Sequence, residues 1–229
     1  EKVMVCLKQY VGGAKYWKGG PDFEVGYDTS CWQVATGTTS SQYTGFSDWE
    51  HGQRYRLWSK AYDNAGNIEN VPDSNITGDI GGKYFGYDES APISSVSSPQ
   101  DGDCFNETTV PSSITENATD PINGSGVDQV LVNIRCLPTG TTTYLAWKGL
   151  VWGAPGDYEI NCDAFPWSVS MPGAWGPYMD GQVIKVRTWS YDKAFPYNSE
   201  MLSTKCTFKY DITPPTSTIT SPSTSDPLC

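Results

Sequence analysis

The sequence predicts an all-β protein built from tandem antiparallel β-sandwich domains, and three observations carry this prediction. The 229 residues include 23 Gly and 16 Pro, and no stretch keeps a 3.6-residue apolar period beyond two turns, so helix signals are weak. Several short segments alternate apolar and polar residues, which is typical of half-buried strands. A long stretch also occurs twice, which indicates tandem domains.

Alternation and turn residues locate the strands. Val130–Cys136 and Gln182–Trp189 alternate most clearly in the second copy, and Arg54–Lys60 does so in the first. Gly52 and Gly181 precede two of these runs and permit a tight turn before the strand. Short strands separated by turn clusters favour a sandwich of antiparallel sheets.

The repeat sets the predicted domain boundaries. Residues 6–31 match residues 136–162, and the Tyr-Asp pairs that close the two copies begin at Tyr87 and Tyr210, 123 residues apart. That period suits independent domains, since solenoid repeats run about 20–50 residues. We expect a first domain at 1–88 without its opening segment, a complete domain at 89–211, and the linker and first strand of a third unit at 212–229.

Several motifs resemble a known family. Ala61–Glu69 contains Asp-Asn-Ala-Gly-Asn, Gly124–Asp128 reads Gly-Ser-Gly-Val-Asp, Trp147–Gly149 forms a Trp-x-Gly turn, and Asp180–Arg187 begins Asp-Gly-Gln. Together they resemble the bacterial immunoglobulin-like domains that occur in tandem on large secreted and surface proteins. The resemblance covers nearly all of both copies, although Asp192–Asn198 departs from the Asp-Asn-Ala-Gly-Asn pattern. It implies tandem immunoglobulin-like sandwiches, with strands of the second copy near residues 93–98, 112–118, 128–136, 143–148, 165–170, 182–191 and 204–210. Such turn motifs support a fold more strongly than a function.

Seven cysteines in a β-rich chain indicate an oxidising, extracellular compartment. Matched positions in the repeat predict two bridges, and the resemblance adds a third, because the first and last strands of an immunoglobulin-like sandwich can run side by side. The predicted bridges are Cys6–Cys31, Cys136–Cys162 and Cys104–Cys206, with Cys229 left for a partner in the third unit. A zinc site is disfavoured, since the chain has no Cys-x-x-Cys and one His.

Charge and motifs exclude several functions. The net charge of −11 argues against nucleic acid and anionic membrane surfaces as partners. No run approaches 18 apolar residues, so we expect no membrane span in this segment. The lone His51 aligns with Asp180 of the other copy and is interpreted as a turn residue rather than a catalytic one. We therefore expect a non-enzymatic protein.

Calcium is the ligand that the acidic residues suggest most strongly. In an immunoglobulin-like domain, two loops and the preceding linker meet at one pole, and hard oxygen ligands from several loops suit calcium. The candidate ligands are Asp88 and Glu89 from the linker, Asp120 and Asp128 from one loop and Asp192 from another. The alternative is that these Asp side chains cap turns through nearby backbone N–H groups.

Eight of the nine tryptophans fall into two groups. Trp17, Trp58, Trp147 and Trp189 lie on or beside strands and are predicted core residues. Four other tryptophans lie in Gly-, Pro- and Ser-rich stretches and are candidates for stacking on sugars, with core packing as the alternative. These glycan-binding candidates are Trp32, Trp49, Trp167 and Trp175.

The sequence thus predicts a structural segment of a secreted or surface protein, such as a stalk, an adhesin-like array or a filament. Its partners would be neighbouring immunoglobulin-like domains of the same or an adjacent chain, a glycan, or another surface protein. One alternative is a glycan-binding accessory module of a secreted hydrolase. Another is a polymer subunit in which the tail of one chain completes the first domain of the next by strand addition.

Overall fold

The computed structural model describes residues 1–10, 13–138, 141–149, 151–153, 160–162, 167–171, 175 and 179–220. These residues are mainly β-strand, which confirms the all-β prediction. They cluster into two compact units. The first unit comprises Glu1–Ile93, Thr119–Asp128 and Ser190–Glu200, and the second comprises Ser94–Ala118, Gln129–Trp189 and Met201–Cys229.

The strands follow one another from Lys2 to Tyr210, and one short helix lies among the described residues. The strands are β1 (Lys2–Gln9), β2 (Lys15–Trp17), β3 (Phe23–Val25), β4 (Gln33–Ala35), β5 (Arg54–Tyr62), β6 (Lys83–Gly86), β7 (Ile93–Ser98), β8 (Cys104–Phe105), β9 (Ser113–Thr119), β10 (Val127–Cys136), β11 (Leu145–Trp147), β12 (Trp152–Gly153), β13 (Ile160–Cys162), β14 (Trp167–Ser170), β15 (Val183–Asp192) and β16 (Ser203–Tyr210). The helix is α1 (Asp73–Thr77), and a 3-10 turn spans Thr29–Cys31.

The first unit contains a six-stranded antiparallel sheet in the order β3-β2-β1-β5-β6, with β4 paired to β1. Successive residues of β1 point to opposite faces, so Cys6 and Leu7 begin two separate clusters. The first cluster joins Cys6 to Tyr16, Cys31, Trp32, Trp58 and Ile76. The second joins Leu7 to Trp17, Phe23 and Tyr55. Each large side chain buried there contributes about 1.5–3 kcal/mol of hydrophobic stabilisation.

The Cys6–Cys31 disulfide, with a Cα–Cα distance of 5.1 Å, links β1 to the 3-10 turn before β4. Both cysteines are fully buried and belong to the first cluster, together with Trp32 and Trp58. This bridge is the one that the repeat predicts in the first copy.

Two further sheets contain the remaining strands. A seven-stranded sheet has the order β12-β11-β10-β15-β16-β8, with β13 paired to β10, and a three-stranded sheet has the order β14-β9-β7. The β16–β8 pair is parallel. Val130, Val132, Ile134 and Cys136 alternate along β10 and are fully buried, as the period-two pattern predicts. These sheets are compatible with a β-sandwich.

No helix among the described residues is long and apolar enough to cross a membrane.

Candidate metal centre

Three carboxylates from three separate segments converge within the first compact unit. Asp88 follows β6, Asp120 follows β9 and Asp192 ends β15. Each offers one oxygen, and these three oxygens lie within 4.8 Å of one another. All three belong to the predicted calcium set, so the structure brings together three of its five members.

Asp192 is held by the loop that it closes. Its Oδ1 accepts hydrogen bonds from the backbone N–H groups of Ala194 (3.1 Å) and Asn198 (2.8 Å), and its Oδ2 accepts one from the Asn198 amide (2.6 Å). The residue is 2% exposed. Asp63 closes the corresponding loop of the first copy by accepting from the backbone and side chain of Asn67 at 2.7 and 2.6 Å. The Asp-to-Asn pairing is therefore a loop-closing device in both copies.

Asp88 anchors the segment that follows β6. Its Oδ2 accepts from the backbone N–H of Ser125 (2.6 Å), and its Oδ1 accepts from that of Ser90 (3.1 Å). Burial by itself would raise the pKa of Asp88, but these hydrogen bonds outweigh burial and hold the pKa below its usual value. Asp88 is therefore held as a carboxylate.

Asp120 is the incompletely satisfied member of the cluster. Its Oδ2 accepts from the backbone N–H of Gly126 (2.6 Å), whereas its Oδ1 is buried and has no hydrogen-bond partner. A side chain at Gly124 would collide with this carboxylate, so the loop backbone packs directly against it. Burial raises the pKa of Asp120, and the charges of Asp88 and Asp192 raise it further. Asp120 is thus the member of the cluster whose charged form is least stabilised.

His51 lies beside this cluster, a placement that the sequence analysis missed. It occupies the predicted turn with Gly52, whose φ is 75°. Its Nδ1 lies 3.1 Å from Asp88 Oδ1, and its Nε2 is buried without a hydrogen-bond partner. In the second copy, Asp180 holds the corresponding turn by accepting from the backbone N–H of Ile212 (2.7 Å). The alignment of His51 with Asp180, whose carboxylate holds the equivalent turn, was the sequence signal that could have indicated this position.

Two predicted ligands lie outside the converging group. Glu89 is exposed and its carboxylate accepts a hydrogen bond from the Tyr87 hydroxyl (3.2 Å). Asp128 occupies an exposed position near the start of β10. Among the described residues, the group that could hold a metal ion contains neither of them.

The second predicted bridge does not fit the strand register. In the β10–β13 ladder Cys162 lies opposite Val130, six positions along the strand from Cys136, or about 20 Å at the usual rise per residue. The Cys136 thiol instead donates toward Met179 Sδ at 3.7 Å, and burial raises its pKa to about 11. This register keeps the two cysteines apart, so the Cys136–Cys162 pairing stays a prediction from the repeat.

The Cys104–Cys206 pairing meets a similar obstacle. Cys104 lies opposite Lys209 in the parallel β16–β8 pair, three positions from Cys206 along β16. Cys104 is exposed, whereas Cys206 is 2% exposed and donates to the Pro99 carbonyl at 3.2 Å. The two side chains therefore point to different environments, and this pairing also stays a prediction.

The four glycan candidates occupy different environments. Trp32 and Trp175 are 6% and 1% exposed, so neither presents a ring face to a ligand. Trp49 is half-buried and packs against the cluster of Leu7. Trp167 begins β14, and its side chain lies outside the described residues. Trp17, Trp58 and Trp147 are buried, as predicted, and Trp189 is 9% exposed.

The geometry as a whole is that of a small anionic centre with oxygen ligands. Asp88, Asp120 and Asp192 concentrate negative charge on three loops, and one buried oxygen remains unpartnered. No protein-family model matches the chain, and no curated protein matches it.

Proposed function

We propose that this chain is a non-catalytic, structural segment of an extracellular surface protein, built from immunoglobulin-like domains and stabilised by a calcium ion at Asp88, Asp120 and Asp192. The observation that carries the proposal is the convergence of three carboxylate oxygens within 4.8 Å around a buried Asp120 oxygen that has no partner. The parent protein would form a stalk, an adhesin-like array or a filament.

Electrostatics supports a cation at this place. Two like charges about 4 Å apart repel by about 4 kcal/mol at the effective dielectric of a protein surface. Backbone N–H groups stabilise Asp88 and Asp192, but they leave Asp120 with a raised pKa. A divalent cation would turn this repulsion into attraction and would supply the missing partner of Asp120 Oδ1.

The ligand set favours calcium over other metals. The three converging oxygens all come from carboxylates, which suit a hard cation and disfavour zinc, and the His51 imidazole beside them contacts Asp88. Ligands about 2.3–2.6 Å from calcium lie up to about 5 Å apart, which accommodates oxygens spread over 4.8 Å. Magnesium, with bonds of about 2.0–2.1 Å and a demand for near-octahedral geometry, accepts such a ligand set less readily.

The role of such an ion would be mechanical. It would tie the segment after β6, at Asp88, to the loops that begin at Asp120 and Asp192, all within the first compact unit. The same unit contains the buried Cys6–Cys31 disulfide, which favours an oxidising compartment outside the cell. Extracellular calcium modules bind with dissociation constants of about 10⁻⁴–10⁻³ M, so the site would be occupied there.

Thermal unfolding with and without calcium tests the proposal. At a calcium concentration about 100-fold above the dissociation constant, the folded state gains about 2.7 kcal/mol, or about 5–10 °C in Tm for a chain of this size. The comparison uses 10 mM calcium, 10 mM magnesium and 1 mM EDTA. We expect the largest shift with calcium, and equal Tm values in calcium and EDTA would refute the proposal.

Two matched variants locate the effect. Asp120→Asn keeps the side-chain shape and removes one repelling charge, so it should abolish the calcium shift without lowering the Tm in EDTA. Asp128→Asn changes an exposed carboxylate outside the cluster and should keep the full shift. If Asp120→Asn lowered the Tm in EDTA and kept the calcium shift, Asp120 would be a turn cap and not a ligand.

A further inference from the structure

A cavity of about 720 Å³ lies in the first compact unit and has no assigned ligand. Its walls come from residues 52–54 and 85–89 and from the loops at 123–125 and 193–198. Asp88 belongs both to these walls and to the carboxylate cluster. The volume falls within the range of about 300–1,000 Å³ that is typical of small-molecule sites.

Three aromatic rings line the cavity. Phe85 is fixed from behind, since it stacks on Tyr55 with ring centroids 5.5 Å apart and contacts Trp49 at 5.8 Å. Tyr87 stands two residues further along the same wall and also stacks on Trp49. Phe195 is fully exposed on the facing loop, where an apolar side chain of this size gains nothing from the core. These rings offer apolar faces to a ligand.

Planar polar groups lie among the rings. Gln53 contributes an amide group to the walls, although its Oε1 is buried. Asn123 adds a second amide and Glu89 a carboxylate. Arg54 and Lys193 add donors to the walls. The cavity therefore offers both acceptors and donors beside apolar rings.

The walls are held in place before any ligand arrives. Asp88 accepts from the backbone N–H of Ser125 (2.6 Å) through its carboxylate and from the Asn198 amide (3.1 Å) through its carbonyl. Gly52 donates its N–H to the Tyr87 carbonyl (2.9 Å). Each of the four wall segments thus carries a hydrogen bond to another, which lowers the ordering cost of binding.

The charge of the walls narrows the ligand class. Two acidic residues, Asp88 and Glu89, face two basic residues, Arg54 and Lys193, so the cavity carries no net positive charge. A phosphate-bearing or sulfated ligand would require an excess of basic groups. A neutral ligand that combines apolar faces with many hydroxyl groups matches the lining better.

We propose that this cavity binds a neutral saccharide, with a pyranose ring stacked on Phe195 and its hydroxyl groups bonded to Asn123 and Glu89. A pyranose presents an apolar C–H face to an aromatic ring and a rim of hydroxyl groups to amides and carboxylates. The site is distinct from the four tryptophans that the sequence suggests. It goes beyond the proposed structural function and does not require the calcium ion.

An oligosaccharide array tests the inference directly. The probes are neutral di- to hexasaccharides of glucose, xylose, mannose and N-acetylglucosamine, and a panel of random dodecapeptides is printed beside them. We expect binding to at least one oligosaccharide series. Binding to none of them, or to peptides alone, overturns the proposal.

Titration calorimetry with the best-binding oligosaccharide then places the ligand. Phe195→Ala removes a fully exposed ring and should weaken binding about tenfold, since it deletes a stacking surface without touching the core. Tyr197→Ala is the matched control, because Tyr197 is 63% exposed on the same loop but does not line the cavity. Equal affinities for wild type and Phe195→Ala, or equal losses in both variants, refute this site. Each titration is repeated in EDTA, and the calcium shift in Tm is scored separately, so either proposal can fail alone.

Discussion

Reduction of the Cys6–Cys31 disulfide should destabilise the first unit by an amount that its loop length sets. The bridge closes a loop with a sequence separation of 25 residues. The chain-entropy relation for a loop of that length gives about 3.5 kcal/mol at 25 °C, because the bridge restricts the unfolded chain. We expect urea unfolding, monitored by tryptophan fluorescence, to show a decrease of this size in the free energy of unfolding when a phosphine reductant is added. Trp32 and Trp58 share the cluster of both cysteines and report on it directly.

A double variant separates the bridge from its packing. In oxidising buffer, the Cys6→Ala/Cys31→Ala variant loses the same loop-entropy stabilisation and also leaves a small cavity in the core. Because the bridge is absent from this variant, the reductant should no longer lower its stability through this bridge. Any reductant effect that remains in this variant reports on the other predicted pairings, such as Cys136–Cys162. A change below about 1 kcal/mol on reducing the wild type would refute the loop-entropy argument.

Two further predictions concern the first unit. Gly52→Ala should destabilise more than Gly66→Ala, since both have positive φ (75° and 91°) but only a Cβ at Gly52 would approach Asn123 Cβ, at 2.7 Å; equal losses in urea unfolding would contradict this. Tyr27 should ionise late, because burial and its hydrogen bond to Asp73 raise its pKa to about 12. A raised pKa means that its stabilisation is complete below pH about 10 and is lost as the pH rises toward 12, so Tyr27→Phe should lose less stability over that interval. A phenolate absorbance titration without this late step would count against it.

Strand positions were the part of the fold that the sequence could predict best. Every strand expected in the second copy has a counterpart within two residues, from β7 at Ile93–Ser98 to β16 at Ser203–Tyr210. Period-two alternation is a local signal that marks β10 and β15, and the resemblance to immunoglobulin-like domains supplied the other positions. Pairing is not local: the resemblance placed Cys104 close to the last strand, but it predicted neither β8 as a strand nor its register with β16.

The register of β13 illustrates this limit. The repeat aligns Cys162 with Cys31, and it predicts the same bridge in both copies. In the structure, β4 pairs with β1 so that Gln33 lies opposite Val5, whereas β13 pairs with β10 so that Cys162 lies opposite Val130. Because side chains alternate with every residue, register cannot be read from composition alone. The matched spacing of the cysteines was enough to predict a bridge, but it could not predict the strand pairing that would have to bring the two cysteines together.

The carboxylate cluster shows the difference between a local sequence motif and its position in the tertiary structure. Asp63 and Asp192 both close a loop by accepting hydrogen bonds from an Asn, at Asn67 and Asn198. Locally the two residues are equivalent, and turn capping accounts for every hydrogen bond that Asp192 accepts. Yet among the described residues the converging carboxylates include Asp192 and not Asp63. The difference is that Asp120 stands beside Asp192 with a buried oxygen that no turn satisfies. Capping therefore positions Asp192, and the unsatisfied neighbour is what argues for a cation.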